Sequence, residues 1–207
     1  MKTKNILHAF FTCVFLLGVL SINAQDKVYV YKTDGTSDEY NIADIDSISF
    51  TPPAAPVVVD YTKLVINEVD GNGKFVEIYN KGTESLSLTS VYLVKNESGT
   101  WWTGAAGTTI SAGGYYVIAQ SGGTAIFDEA TGANGISPKQ TLKFELKNPN
   151  GNVIDQFSRG VAPWGTAISD VSPNSFSRCP DGTGSFELAT PSPKAANPAT
   201  GADIPQN

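Results

Sequence analysis

The chain has 207 residues, with 14 lysines and arginines against 20 aspartates and glutamates, a formal net charge of −6. That balance argues against nucleic acid and anionic membrane as partners, since both need local positive charge and no basic cluster occurs. A single histidine, His8, and two cysteines, Cys13 and Cys179, narrow the catalytic and metal-binding designs open to it. Lys2 and Lys4, the apolar run 6–20 and the small residue Ala24 read as a secretory signal peptide over 1–24, cleaved before Gln25. The alternative is an amino-terminal anchor, but the run is marginal for a span of about 20 residues. Cys13 lies inside the apolar run, which speaks against a lipid anchor. Cleavage would leave 12 basic and 20 acidic residues, a net charge of −8, no histidine and Cys179 alone. Stability must then come from a packed core rather than from an intramolecular disulfide. The expected address is secreted or cell envelope (periplasm, outer surface or extracellular), with no stable membrane span after cleavage.

Residues 25–51 read as a short β lead-in. Val28-Tyr29-Val30-Tyr31 is a strand, 33–36 a turn, 38–42 the returning strand, and 45–50 alternate apolar and polar. Two or three such strands bury too little to fold alone. Residues 52–61 form a Pro-rich linker, because proline removes amide donors and holds the chain extended. From 62 to 190 the pattern predicts many short strands: 63–69, 74–80, 85–95 with a kink near Thr89-Ser90, 100–103, 115–119, 141–147, 153–157 and 175–178. One helical turn is expected near 126–130. No window has convincing helical periodicity, and short strands at regular spacing predict an all-β sandwich or barrel. After Pro191 the chain is Pro, Ala, Ser and Asn, so 191–207 reads as a disordered tail.

The strongest local signal is the hairpin around Asp70-Gly71-Asn72-Gly73, flanked by runs rich in Val and Ile. A two-residue turn at Gly71-Asn72 makes Glu68 face Phe75 and Ile66 face Glu77. Glu68 and Glu77 then form a diagonal pair on one face, about 7–8 Å between Cα atoms. Val65, Val69, Val76 and Ile78 take the other face, the predicted core. Two carboxylates so placed could share a cation or flank a sugar bond. The favoured reading is a solvated outer face that also carries Phe75 and Tyr79. A three-residue turn would separate the glutamates. Asp70-Gly71-Asn72-Gly73 and Asp181-Gly182-Thr183-Gly184 look like calcium loops, but an EF-hand loop needs a bidentate glutamate at its twelfth position. Counting from Asp70, that position is Lys81.

Without histidine the mature chain lacks the usual general base of Ser-His-Asp and Cys-His sites and the commonest zinc ligand. It therefore reads as no enzyme, with no catalytic residues, no cofactor and no metal. Trp101, Trp102, Tyr115, Tyr116 and Trp164 are the possible ligand-contact aromatics. Adjacent strand residues face opposite ways, so one of each pair should be core and its neighbour could stack on a sugar ring or a protein partner. Cys179 reads as a buried or half-buried thiol.

Two resemblances add to this. The lead-in, ending Ile45-Asp46-Ser47-Ile48-Ser49-Phe50, resembles a segment found on many secreted Bacteroidetes proteins. Asp46-Ser47-Ile48 looks like the O-glycosylation motif of that group, with Ser47 as acceptor; an ordinary strand serine is the competing reading. The main segment resembles the lamin tail domain in its secreted bacterial branch. The matching pieces are Glu68-Val69-Asp70 through Gly73-Lys74-Phe75-Val76, then Ile78-Tyr79-Asn80-Lys81 and Leu86-Ser87-Leu88. Ser111 to Ile118, Gln140 to Glu145 and Asn148 to Ile154 follow, then Ser175 to Gly184, Thr190-Pro191 and Ala195-Ala196-Asn197. Ser192 replaces the usual glycine after Thr-Pro, and Thr89-Ser90-Val91 the usual Ser-Gly-Trp. The resemblance implies an immunoglobulin-like β-sandwich and a non-catalytic module, read here as a protein-binding or scaffolding one; a carbohydrate-binding or adhesin module using the exposed aromatics is the alternative, so the partner is a protein or a glycan. A carboxylate- or metal-dependent hydrolase is the remaining alternative.

Overall fold

The structure is a computed structural model that describes residues 26–48, 58–131, 133 and 135–205. The expected signal segment, 1–24, and most of the expected linker lie outside the described residues. The chain divides into two units, 1–56 and 57–207.

In the first unit, strand β1 (Lys27–Tyr31) pairs antiparallel with β2 (Ser37–Asn41). Asp34 closes the turn by accepting from the Thr36 amide at 2.9 Å and its hydroxyl at 2.7 Å. Such an Asx turn replaces main-chain bonds the reversal cannot make. Ion pairs Lys27–Glu39 and Lys32–Asp38 tie the strands. A 3-10 turn, Ile42–Asp44, follows. Residues 45–48 are not strand, which corrects the alternation reading over that part; 49 and 50 lie outside the described residues. Ser47 is exposed.

The second unit opens with a 3-10 turn, Tyr61–Lys63, where Asp60 accepts from the Thr62 amide. Twelve strands follow: β3 (Leu64–Asp70), β4 (Phe75–Asn80), β5 (Leu86–Ser87), β6 (Tyr92–Lys95), β7 (Gly99–Thr103), β8 (Thr109–Ile110), β9 (Tyr115–Gln120), β10 (Glu129–Thr131), β11 (Leu142–Lys147), β12 (Val153–Arg159), β13 (Ser175–Cys179) and β14 (Ser185–Ala189). A six-stranded sheet runs β10-β9-β4-β3-β13-β14 and a four-stranded sheet β12-β11-β6-β7; β5 and β8 pair separately. The turn expected near 126–130 is instead β10, running parallel to β9.

The inner faces of the two sheets meet in one core. Leu64, Ile66, Val69, Val76, Ile78, Ile118 and Phe176 come from the six-stranded sheet, and Leu93, Trp101, Trp102, Leu142, Phe144, Leu146 and Phe157 from the other. Alternation along β11 makes the logic plain: Leu142, Phe144 and Leu146 are buried, and Lys143, Glu145 and Lys147, which alternate with them, form an ion-pair row. Two packed sheets, with sequence-distant strands brought together as neighbours, make an immunoglobulin-like β-sandwich.

The hairpin register departs from the two-residue turn. Asp70 pairs with Phe75, Val69 with Val76 and Glu68 with Glu77, while Ile66 pairs with Ile78. Asn67 is the extra residue of a bulge, and the connection spans residues 71–74. A bulge inverts side-chain parity on the strand that carries it. Leu64 and Ile66 therefore join the core where the unbroken pattern predicted Val65, while Val69, Val76 and Ile78 keep their predicted face. Gly71 is required here by close approach: a Cβ on it would overlap the Ser137–Pro138 backbone.

A buried acidic layer under a carboxy-terminal strap

The outer face of the six-stranded sheet carries the candidate acids, and it is not solvated. Glu68 and Glu77 are both fully buried, directly opposite across β3 and β4. This corrects the reading of a solvent-facing diagonal pair. The bulge at Asn67 and the four-residue connection set the register, and chain from beyond the last strand excludes the water. Phe75, Val117 and Ala119 bury the adjoining part of the same face.

Each carboxylate is met by donors from far along the sequence. Glu68 accepts from the Ser175 hydroxyl at 2.5 Å and from the Ser192 amide at 3.1 Å. Glu77 accepts from the Lys194 amide at 2.7 Å and from Asn67 Nδ2 at 3.1 Å. Asp181, in the loop between β13 and β14, accepts from Asn67 Nδ2 at 2.9 Å, the Asn197 amide at 3.0 Å and the Tyr115 hydroxyl at 2.6 Å. Asn67 in turn accepts from the Gly182 amide at 3.0 Å. Asn197 donates to the carbonyls of Asn67 and Arg178, and takes the Ser192 hydroxyl at 2.7 Å. Residues 191–197 thus lie across the sheet as a strap, which corrects the reading of 191–207 as a disordered tail. Composition missed it because its order comes from main-chain donors meeting buried acids rather than from apolar side chains. Further on, Leu188 and Ala202 exchange main-chain bonds at the β14 edge.

Burial without a cation raises both glutamates. Desolvation is the largest cause, pushing Glu68 up to about 7 and Glu77 up to about 8; the serine, asparagine and strap donors oppose it, while the Asp70 charge adds to the rise of Glu68 and the Glu68 and Asp181 charges to that of Glu77. Burial likewise raises Asp70 and the Cys179 thiol. Lys194 does not neutralise the pair: its ammonium reaches Asp128. Arg178 is held by Asp155 and stacks on Phe186 at 4.5 Å. Elevated carboxyl pKa values often mark catalytic acids, but this pair is enclosed by its own chain. Among the described residues, no group of three or more potential metal-ligating side chains is placed to hold an ion.

The aromatic candidates do not form a common surface. Trp101 and Trp102 are both buried, 3% and 4% exposed, which removes them as ligand contacts. The cause is a register shift: Leu93 pairs with Trp102 and Val94 with Thr100, so Trp101 is an extra residue and the alternation fails. Trp101 packs edge-on to Phe144 at 5.2 Å, and Trp102 lies 5.8 Å from Tyr116. Tyr115 and Tyr116 are half-buried, their hydroxyls bonded to Asp181 and Glu129. Trp164 is half-buried in the loop after β12. Sequence reasoning also passed over Arg159. It is fully buried, donates to the carbonyls of Pro138 (2.6 Å) and Ser169, and lies over the Phe176 ring. A charged residue at the end of an alternating strand gives no signal of such burial.

On the surface, Val58, Val59, Lys63, Thr83, Glu84 and Leu86 line a mostly apolar groove of about 520 Å³. No helix among the described residues is long and apolar enough to cross a membrane.

The second unit is therefore an immunoglobulin-like sandwich whose ionisable centre is closed by its own carboxy-terminal segment. Residues 59–160, just under half of the chain, match the family model of the lamin tail domain, and the match supports that family for the sandwich. The matched segment ends before β13, β14 and the strap, although β13 is hydrogen-bonded directly beside β3. No curated protein matches the chain.

Proposed function

We propose that the protein is a secreted or cell-surface, non-catalytic module of the lamin tail type that binds or scaffolds another protein. One observation carries the non-catalytic half: the only acid pair the sequence offered as a catalyst is fully buried and bonded to the Ser192 and Lys194 amides. A general acid or nucleophile must reach the bond it acts on, and these carboxyls reach their own strap. The apolar run at 6–20 and the small residue at Ala24 support export, and the Bacteroidetes-type lead-in fits the same address. The net negative charge supports a partner other than nucleic acid.

The test has three parts. The purified chain is screened against nuclease, phosphatase and glycosidase substrates with divalent cations; no turnover is expected. An activity abolished by Glu68→Gln or Glu77→Gln overturns the reading. Amino-terminal sequencing of the protein from its native cells is expected to begin at Gln25, and a retained 1–24 segment overturns export by cleavage. Cross-linking on intact cells is expected to join the chain to one protein partner, and recovery of the free chain alone counts against scaffolding. A carbohydrate-binding or adhesin role keeps only Trp164 and the tyrosine edges as contacts. Glycan-array binding lost in Trp164→Ala is the result that would favour it.

A further inference from the structure

We propose that residues 191–197 form a proton-controlled strap, closed over the six-stranded sheet while Glu68 and Glu77 are protonated and released from it when they ionise. The inference is independent of which partner the module binds.

The geometry comes first. The strap reads Pro191-Ser192-Pro193-Lys194. Proline has no main-chain donor, so the amides of Ser192 and Lys194 are the only two this stretch owns. Both are spent on the buried pair, at 3.1 Å to Glu68 and 2.7 Å to Glu77. The Asn197 amide goes to Asp181 at 3.0 Å. Three strap amides therefore meet three carboxyl groups of one polar layer, and few apolar side chains add to the hold. Lys194 takes a left-handed φ of 62°, and its side chain is exposed. Side-chain anchors remain at Asn197, on the Asn67 and Arg178 carbonyls, and at Lys194, on Asp128, but the 192–194 backbone is held from below by the pair, so its attachment depends on the state of the acids.

The groups facing the pair set the direction. Glu68 is faced by Glu77 across the pair, by Asp70 on its own strand, and by Ser175, Ser177 and Cys179 from β13. Glu77 is faced by Asp181 and, from β9, by Tyr115. The strap's cation, Lys194, is bound to Asp128, and Arg178 to Asp155. Two adjacent anions here would repel each other without water or a counter-ion. As protonated acids they are neutral and keep an acceptor oxygen for each amide. Losing both protons to solvent leaves the closed state with two buried negative charges. Opening the strap hydrates them, so a rise in pH favours the open form. The acidic pair is the sensor, and the strap is the element it releases.

The test is hydrogen exchange on the chain from Gln25 to Asn207 at pH 5.5 and pH 9, with rates corrected for base catalysis. Protection of the Ser192, Lys194 and Asn197 amides is expected to fall at least about tenfold at pH 9, equivalent to about 1.4 kcal/mol of opening free energy. Protection of the β11 and β12 amides is expected to stay constant. In the Glu68→Gln, Glu77→Gln double variant the strap is expected to stay protected at both pH values, since the amide copies the neutral acid in shape. Constant wild-type protection, loss of strap and β11 protection together, or a pH response that survives in the double variant each overturns the proposal. Should the double variant not fold, the wild-type side-chain carboxyl resonances decide the matter. Titration above pH 6 in step with the strap amide shifts supports it, and titration in the ordinary carboxylate range overturns it.

Discussion

Asn67 is the residue on which the polar layer turns, and its replacement by leucine gives a sharp test. Its side chain donates to Glu77 at 3.1 Å and to Asp181 at 2.9 Å, and accepts from the Gly182 amide at 3.0 Å. Leucine has the same branched set of side-chain heavy atoms and is bulkier, so no cavity opens. The Gly182 amide loses the acceptor it has in this layer, and an unpaired buried donor costs about 1–3 kcal/mol. Glu77 and Asp181 each lose one of several donors, about 1 kcal/mol apiece. Together the loss is about 3–5 kcal/mol, a large part of the roughly 5–15 kcal/mol that holds a typical domain folded. Urea unfolding followed by tryptophan fluorescence reads this directly, because Trp101 and Trp102 sit in the core. With a slope of about 2 kcal/mol/M the midpoint falls by about 2 M. Asn67→Asp separates the contributions. It keeps an acceptor for Gly182 but surrenders both donors and adds a carboxyl beside Glu77 and Asp181. Its cost is therefore expected to grow between pH 5 and pH 8. A leucine variant within about 1 kcal/mol of the parent, or an aspartate variant whose cost ignores pH, would refute the reasoning.

Three further outcomes follow from the same structure. Arg159→Met is expected to destabilise by about 1–3 kcal/mol in urea melts, because the Pro138 and Ser169 carbonyls lose their donor while removal of a buried charge offsets part of the loss; Arg159→Lys is not expected to rescue it, since one ammonium cannot span the fork. Gly71→Ala is expected to cost about 1–3 kcal/mol through collision with the Ser137–Pro138 backbone, and an unchanged midpoint would show that the 136–138 loop yields freely. Thermal stability is expected to fall by a few kcal/mol from about pH 4.5 to about pH 8: the folded state raises Glu68 and Glu77 to about 7 and about 8, so it binds more protons than the unfolded chain across that window. The same melts on the double glutamine variant should lose most of that slope.

Much of the architecture was legible because it rests on local chemistry. Val and Ile runs around Asp-Gly-Asn-Gly gave β3 and β4, clean alternation gave β11, and Thr89-Ser90 marked the break between β5 and β6, where Ser90 takes a φ of 60°. The two-residue strands β5 and β8 and the three-residue β10 are too short to carry a period. Parity failed at two bulges. Asn67 and Trp101 are ordinary strand residues by type, yet each adds a residue to its ladder, and the faces of their neighbours change with it. From the first comes Leu64 and Ile66 in the core; from the second comes a pair of buried tryptophans where one exposed ring was expected. The strap was illegible for a different reason. Its register is fixed by acids more than 110 residues earlier, and no pattern within 191–197 encodes them.

The two glutamates also show why an outward-facing acid in a sandwich strand is weak evidence for a surface site. Facing away from the core places a side chain on the outer face; whether water reaches it depends on what the chain does after its last strand. Here β14 ends at Ala189, and the next residues turn back over β3 and β4. A strap rich in proline suits that path, because it brings few amides to satisfy and directs the two it has at 192 and 194 to the carboxyls below. The acids then specify where the strap lies. The loops and edges are what remains open to solvent, with Ile126, Phe127 and Val161 exposed, whereas Glu68 and Glu77 are bonded to the strap that covers them.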